Sequence, residues 1–216
     1  MASGGRRAAL LAVVGGLAFG ATACDSSGYQ YVKNSEEGAY FKVPNDWELF
    51  KVEEGLPEDR PVPDGALMDG PWRIVFDADD APDAAHIEAE VPVAVVGQAE
   101  VGSIRMDVRD SVSNVDLRSL ALDGTDPIAL YEQGSNEVEI VRYEDITTAD
   151  GLRGNRVVLN KLVADGTYVT IDQIALVDPG TTTLYRLLVK CSSTCYLENR
   201  NQIDTVVDSW QIRKKS

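Results

Sequence analysis

The chain is poor in the residues that most site chemistry needs. It has one histidine, His86, and three cysteines, Cys24, Cys191 and Cys195, in 216 residues. One histidine argues against a histidine-based zinc site and leaves a Ser–His–Asp hydrolase a single candidate base. That residue sits in an alanine-rich acidic turn, and the chain has no Gly-x-Ser-x-Gly elbow. It also has no P-loop and no Gly-x-Gly-x-x-Gly, so the usual phosphate-cradling loops are missing. Paired carboxylates for glycoside hydrolysis need a set separation in space, which 35 scattered acids do not define in sequence. The expectation is a non-catalytic protein without a cofactor.

Positive charge is scarce as well. Twenty Lys and Arg stand against 35 Asp and Glu, for a formal net charge of -15. Such a chain lacks the cations that displace phosphate counterions, which argues against a nucleic-acid partner. The same balance argues against adsorption to anionic lipid through a basic patch. The acids form two denser groups, one in the proline-rich loop 54 to 70 and one at Asp77, Asp79, Asp80 and Asp83. Both are candidate surface features for a partner. In the second, Asp77, Asp79, Asp83 and Glu88 fall at positions 1, 3, 7 and 12 of an EF-hand-length loop. Ala81 and Pro82 occupy position 5 and the obligatory glycine position, so an acidic turn is the better reading than a calcium site.

The longest uncharged apolar run is Ala8 to Phe19, twelve residues, too short to cross ~30 Å of hydrocarbon. It follows Arg6 and Arg7 and precedes Ala21-Thr22-Ala23-Cys24. That order describes a secretory signal peptide over residues 1–23. The paired arginines leave both the general secretory and the twin-arginine export routes open. Ala21-Thr22-Ala23 satisfies the small-x-small rule of an ordinary signal peptidase, and with Cys24 it resembles the lipobox of bacterial lipoproteins. Ala21 stands where that motif usually has Leu. Both readings cut at the same bond.

Cysteine parity distinguishes them. Export puts the chain where disulfides form, and three cysteines make one bridge with one left over. A free thiol at the mature N-terminus would cross-link, and acylation removes that liability. Cys24 is therefore the expected lipid attachment point, with the membrane as first partner and an envelope or membrane protein as a further one. Residues 24–37 are polar and aperiodic and are expected to form a flexible tether of roughly 20 Å. One folded domain is expected over residues 38–216.

Within that domain the apolar pattern is mostly two-residue. Strands are expected at 40 to 43, 47 to 52, 72 to 78 and 91 to 101. Ile104, Val108, Val112 and Val115 have helical spacing over 103 to 121, and Thr125-Asp126-Pro127 marks the cap of a short helix to about Gln133. Four further strands, 138 to 147, 152 to 164, 167 to 177 and 182 to 190, are separated by turns carrying Asp150-Gly151, Asp165-Gly166 and Asp178-Pro179-Gly180, which describes an antiparallel meander. In the third of these, apolar residues occupy both faces with Gln173 among them, so both sheet faces are expected to be covered. Leu197, Ile203, Val206 and Val207 suit a helix of about ten residues, and Trp210 with Ile212 a short final strand. In an extended strand Cys191 and Cys195 would lie roughly 13 Å apart, too far to bridge, so a disulfide needs the strand to stop and turn near Cys191. A redox pair or metal ligands are the alternatives, though the spacing is not C-x-x-C.

FKVPNDW, LYRLLVKC and IDTVVDSWQI together resemble the PsbP-like fold, which also occurs in many actinobacterial lipoproteins. The residues that carry the resemblance are Phe41, Pro44, Trp47, Ser209 and Trp210, and it spans 38 to 213. It implies an α+β protein, an antiparallel sheet with helices on its faces. The best-known member supports a membrane-embedded photosystem from outside, and no residue role transfers from it. The expected function is a membrane-anchored extracytoplasmic lipoprotein with a protein-interaction domain. A cargo-binding lipoprotein serving a transporter, or a carboxylate hydrolase, are the other classes.

Overall fold

The computed structural model describes residues 28–52 and 67–213. The segment expected as a signal peptide, Cys24 and most of the acidic loop after Val52 lie outside the described residues. Among these residues, no helix is long and apolar enough to cross a membrane.

Two antiparallel sheets form the frame. The larger has seven strands in the order β3-β4-β5-β9-β8-β7-β6: β3 (Glu48–Val52), β4 (Met68–Asp77), β5 (Val96–Ile104), β6 (Val138–Thr147), β7 (Arg153–Leu162), β8 (Tyr168–Val177) and β9 (Thr183–Ser192). The smaller has the order β1-β2-β10, from β1 (Tyr29–Asn34), β2 (Ala39–Pro44) and β10 (Gln211–Ile212). The architecture is α+β, as the PsbP-like resemblance implied. The β6–β9 meander forms where the turn residues place it.

Both faces of the large sheet are covered, and β8 is buried from Val169 through Val177. One face packs on the small sheet and on α4 (Arg200–Asp208), whose Ile203, Val206 and Val207 meet Phe41, Phe76 and Leu187 in one apolar cluster. Trp47 stacks on Phe76 with ring centroids 5.9 Å apart, and Trp210 meets Phe41 edge-on at 5.5 Å. The aromatic corner and the final Ser–Trp step are therefore core. The opposite face packs on α1 (Asn114–Ser119), α2 (Pro127–Glu132) and the turns between them. Gln173, fully buried, ties the layers by donating to the Leu117 carbonyl (3.1 Å) and accepting from Arg186 (2.9 Å).

Three expectations change. Residues 29–34 are not tether: β1 pairs along its whole length with β2, Tyr31 opposite Lys42 and Lys33 opposite Tyr40. Tyr31 and Lys33 face outward while Val32 and Asn34 are buried, so the strand signal was a short alternation hidden in a polar stretch. The domain accordingly begins at least nine residues earlier than 38, at Tyr29. The helix expected over 103 to 121 is broken. Ile104 is the last residue of β5, opposite Met68, and the α-helix starts only at Asn114. Ser113 and Asp116 form a capping box there, which fixes a new N-terminus in a segment of weak helix formers. The strand expected from Val91 begins at Val96 instead. The cap at Asp126 forms as expected: its carboxylate accepts from Ile128 N with Pro127 in the first turn.

β9 stops at Ser192, whose hydroxyl caps α3 (Ser193–Glu198) by accepting from Cys195 N. The chain turns there, Cys191 and Cys195 come to a Cα separation of 5.9 Å, and their sulfurs pair as a disulfide. The one helix expected from Leu197, Ile203, Val206 and Val207 is two: Leu197 falls in α3, a six-residue helix held by a cap and a cross-link, and the other three in α4.

Candidate functional site

Beside α4, the covered face of the large sheet is left partly open over β6, β7 and β8. A cleft of about 320 Å³ lies there, walled by α3 and α4. Its construction begins with a defect in β6. The register between β6 and β7 shifts at Val141, so Ile140 faces Leu159 while Arg142 faces Val158. An extra residue in one strand reverses the alternation after it. Ile140 therefore joins the core on the helix α2 side, and Arg142 turns to the other face. The bulge brings both Val141 and Arg142 into the cleft. Because β6 is an edge strand, its charged residues also discourage further strand pairing.

The cleft floor is an ion pair. Arg156 on β7 is 5% exposed and donates to Asp172 on β8 through Nε (2.9 Å) and Nη2 (2.6 Å). Tyr196 of α3 donates its phenol to the same carboxylate at 2.8 Å. Burial raises the Tyr196 phenol above its ordinary value, and the Asp172 charge adds to the effect. Burial works against the charge on Arg156, yet the bidentate bond to Asp172 holds it firmly protonated. Arg156 also directs Nη1 toward Asp208 at 3.7 Å. Further along the floor, Thr170 and Ser193 both reach Asn160 Oδ1, at 2.7 and 3.3 Å.

The rim differs in chemistry. Val141 is 57% exposed and Leu197 69% exposed, two apolar side chains at one opening. Arg142 pairs with Glu144 at 2.7 Å, and Arg200 with Asp204 at 3.6 Å, both in solvent. Such pairs are weak and exchange readily for another carboxylate. The cleft thus joins an apolar rim, one phenol and three guanidinium groups in a chain of net charge -15.

The acidic turn is built differently from a docking surface. Asp77 is fully buried and accepts from Asp79 N (3.0 Å), Asp83 N (2.9 Å) and His86 Nδ1 (2.7 Å). Its lone pairs serve the turn itself. His86 is accordingly paired with a structural carboxylate rather than with a hydroxyl. Among the described residues, no three His, Cys, Asp or Glu side chains converge to hold a metal ion.

None of the cleft arginines stood out in the sequence. Arg156 and Asp172 carried the one available signal: each interrupts an apolar strand, and the strands are joined by the Asp165-Gly166 turn. Counting back from that hairpin places Val158 opposite Asp172 and Ile174 opposite Arg156, so the two charges are diagonal neighbours on one face.

The seven-stranded sheet, the small sheet packed across it and the terminal helix define the PsbP-like fold class. The cyanobacterial PsbP protein, CyanoP, of Synechocystis superposes with a TM-score of 0.51 at 15% identity, over 88% of this chain and 96% of that one. LpqN of Mycobacterium tuberculosis, described as involved in cell envelope biogenesis, gives 0.47 at 13% identity over 86% and 91%. The Ran-binding protein Mog1p of Saccharomyces cerevisiae gives 0.42 at 10% identity over 85% and 95%. At these identities the likeness is one of fold. No family model and no curated protein matches the chain.

Proposed function

We propose that this protein is an extracytoplasmic lipoprotein, acylated at Cys24, whose PsbP-like domain binds protein partners at the cell envelope through the cleft between β6–β8 and α3–α4. The observation that carries the binding part is the company kept by the exposed Val141 and Leu197: one phenol and three guanidinium groups around the same opening. Aromatic and arginine side chains are enriched at protein interfaces and dominate their energetics. Four charged side chains, Arg142, Arg156, Arg200 and Asp204, line the cleft beside its apolar groups. The arginines suit an acidic segment of a partner, whose carboxylates would replace Glu144 and Asp204 in bidentate contacts. The acyl chains would confine the domain to two dimensions and raise its effective concentration near membrane partners. Two chains on one cysteine hold stably where one does not.

The test is a photo-cross-linker at Leu197 in the anchored protein in intact cells, with the same reagent at the exposed Val93 as control. Adducts specific to position 197 are expected, and the pair Arg142→Ala and Arg200→Ala should reduce them on the order of tenfold. Identical adducts at both positions, or adducts indifferent to the arginines, would remove the cleft as the binding site.

A further inference from the structure

The three-stranded sheet turns one face to the core and the other outward. Val32, Ala39, Phe41 and Val43 point in. Tyr31 and Lys33 point out from β1, and their register partners Lys42 and Tyr40 from β2. Arg213 joins them at the end of β10, its N–H donating to the Gly38 carbonyl at 2.8 Å. A side chain at position 38 would collide with the Arg213 carbonyl, so glycine is what lets Arg213 close on this sheet. Lys42 lies 5.4 Å from the Tyr31 ring, Lys33 and Arg213 5.9 and 5.3 Å from the Tyr40 ring. In a chain with fifteen more acids than bases, no carboxylate among the described residues pairs with Lys33, Lys42 or Arg213. Lys214 and Lys215 follow directly in sequence. Asp204 and Asp208 of α4 border the same surface beside Tyr31, Tyr40, Lys42 and Arg213, without pairing with the two lysines or with Arg213.

The same sheet is where the described chain starts. Gly28 sits at the head of β1, its carbonyl accepting from Asn45 N at 3.0 Å, and Cys24 is four residues before it. Four residues span at most about 14 Å at ~3.5 Å each. With β1 folded into the domain, an acyl anchor on Cys24 could not let the domain drift or turn far from the bilayer.

The structure assigns the outer face of β1-β2-β10, Tyr31, Lys33, Tyr40, Lys42 and Arg213, as the surface that lies on anionic lipid headgroups. This rests on acylation of Cys24 as proposed above. Tyrosine belongs at the headgroup level, where its ring is half apolar and its hydroxyl wet. Lysine and arginine gain about fivefold in surface binding each near an anionic leaflet. Net acidity argued against a basic patch; folding nonetheless brings Lys33, Lys42 and Arg213 together on this one face. With this face down, the cleft beyond α4 remains open to partners alongside the membrane.

The test uses the lipoprotein purified from membranes and reconstituted into phosphatidylcholine vesicles with or without phosphatidylglycerol. Intact mass first establishes the acyl group on Cys24; its absence defeats the anchoring reading itself. Amine acetylation is then quantified at Lys33, Lys42, Lys51 and Lys161. Phosphatidylglycerol should lower labelling of Lys33 and Lys42 about fivefold and leave Lys51 and Lys161 unchanged, with recovery at roughly 0.5 M salt. Equal labelling on both vesicles, or protection of all four lysines, overturns the assignment while leaving the anchor intact. Protection of Lys33 and Lys42 in detergent that grows with protein concentration overturns it in favour of a second copy of this chain.

Discussion

Asp172 carries more than any other side chain in the cleft. It accepts both arms of the Arg156 fork and the Tyr196 phenol in a place water hardly reaches. A buried pair of this kind adds little net stability, because desolvation offsets attraction, but removing one partner strands the other. Asp172→Ala is expected to cost about 3–5 kcal/mol. Urea unfolding should show a lower midpoint with an unchanged slope. Replacing Arg156 and Asp172 together by Met and Leu should recover most of that loss. A second residue-scale prediction concerns His86. Its imidazole is raised above 6.5, first by the hydrogen bond to Asp77, against the pull of burial, and then by the charges of Asp77, Asp79 and Asp83. The folded state therefore favours the protonated form. That stabilisation is complete below the unfolded value and disappears as pH rises through the folded one. His86→Gln should destabilise more near pH 5.5 than near pH 8.5, and NMR of the lone imidazole should give a midpoint above 6.5. A midpoint at or below that value would contradict the Asp77 contact.

At the scale of elements, the sequence was legible wherever a strand alternated over its full length between turn residues. β7 and β9 come closest to this, the ends of β6 and β8 are set by the same turn residues, and α2 is marked by its Asp126-Pro127 cap. It was illegible where one residue changed the meaning of its neighbours. The bulge at Val141 sends Arg142 to the opposite face from Ile140, and nothing in the order Ile-Val-Arg-Tyr announces it. The spacing of Ile104, Val108, Val112 and Val115 is helical, yet sheet pairing took the first of these and the Ser113 capping box restarted the helix after the third. β1 was hidden because its outward residues are Tyr and Lys, which on a small exposed sheet resemble linker. The strand-to-helix corner at Ser192 belongs to the same scale. Peptide mapping without reductant should find Cys191 joined to Cys195. The double Ser variant should lose about 2 kcal/mol, the cost of closing so short a loop. Two free thiols in the native protein would remove the cross-link from the account.

At the scale of the whole molecule, the parts have an order in space. The basic, tyrosine-bearing sheet, which includes the first described strand, lies toward one side, the α4 helix flanks it, and the arginine cleft opens beyond α4. A domain arranged this way would rest on the bilayer by its small sheet and offer its cleft along the surface. Everything in that arrangement depends on the thiol of Cys24. The most direct measurement is fractionation of cells carrying Cys24→Ala beside cells carrying the parent chain. The parent should be found with the membranes, and the variant in the medium or the soluble extracytoplasmic fraction. If the two distribute alike, the protein is not held at the membrane by Cys24 and the central claim fails.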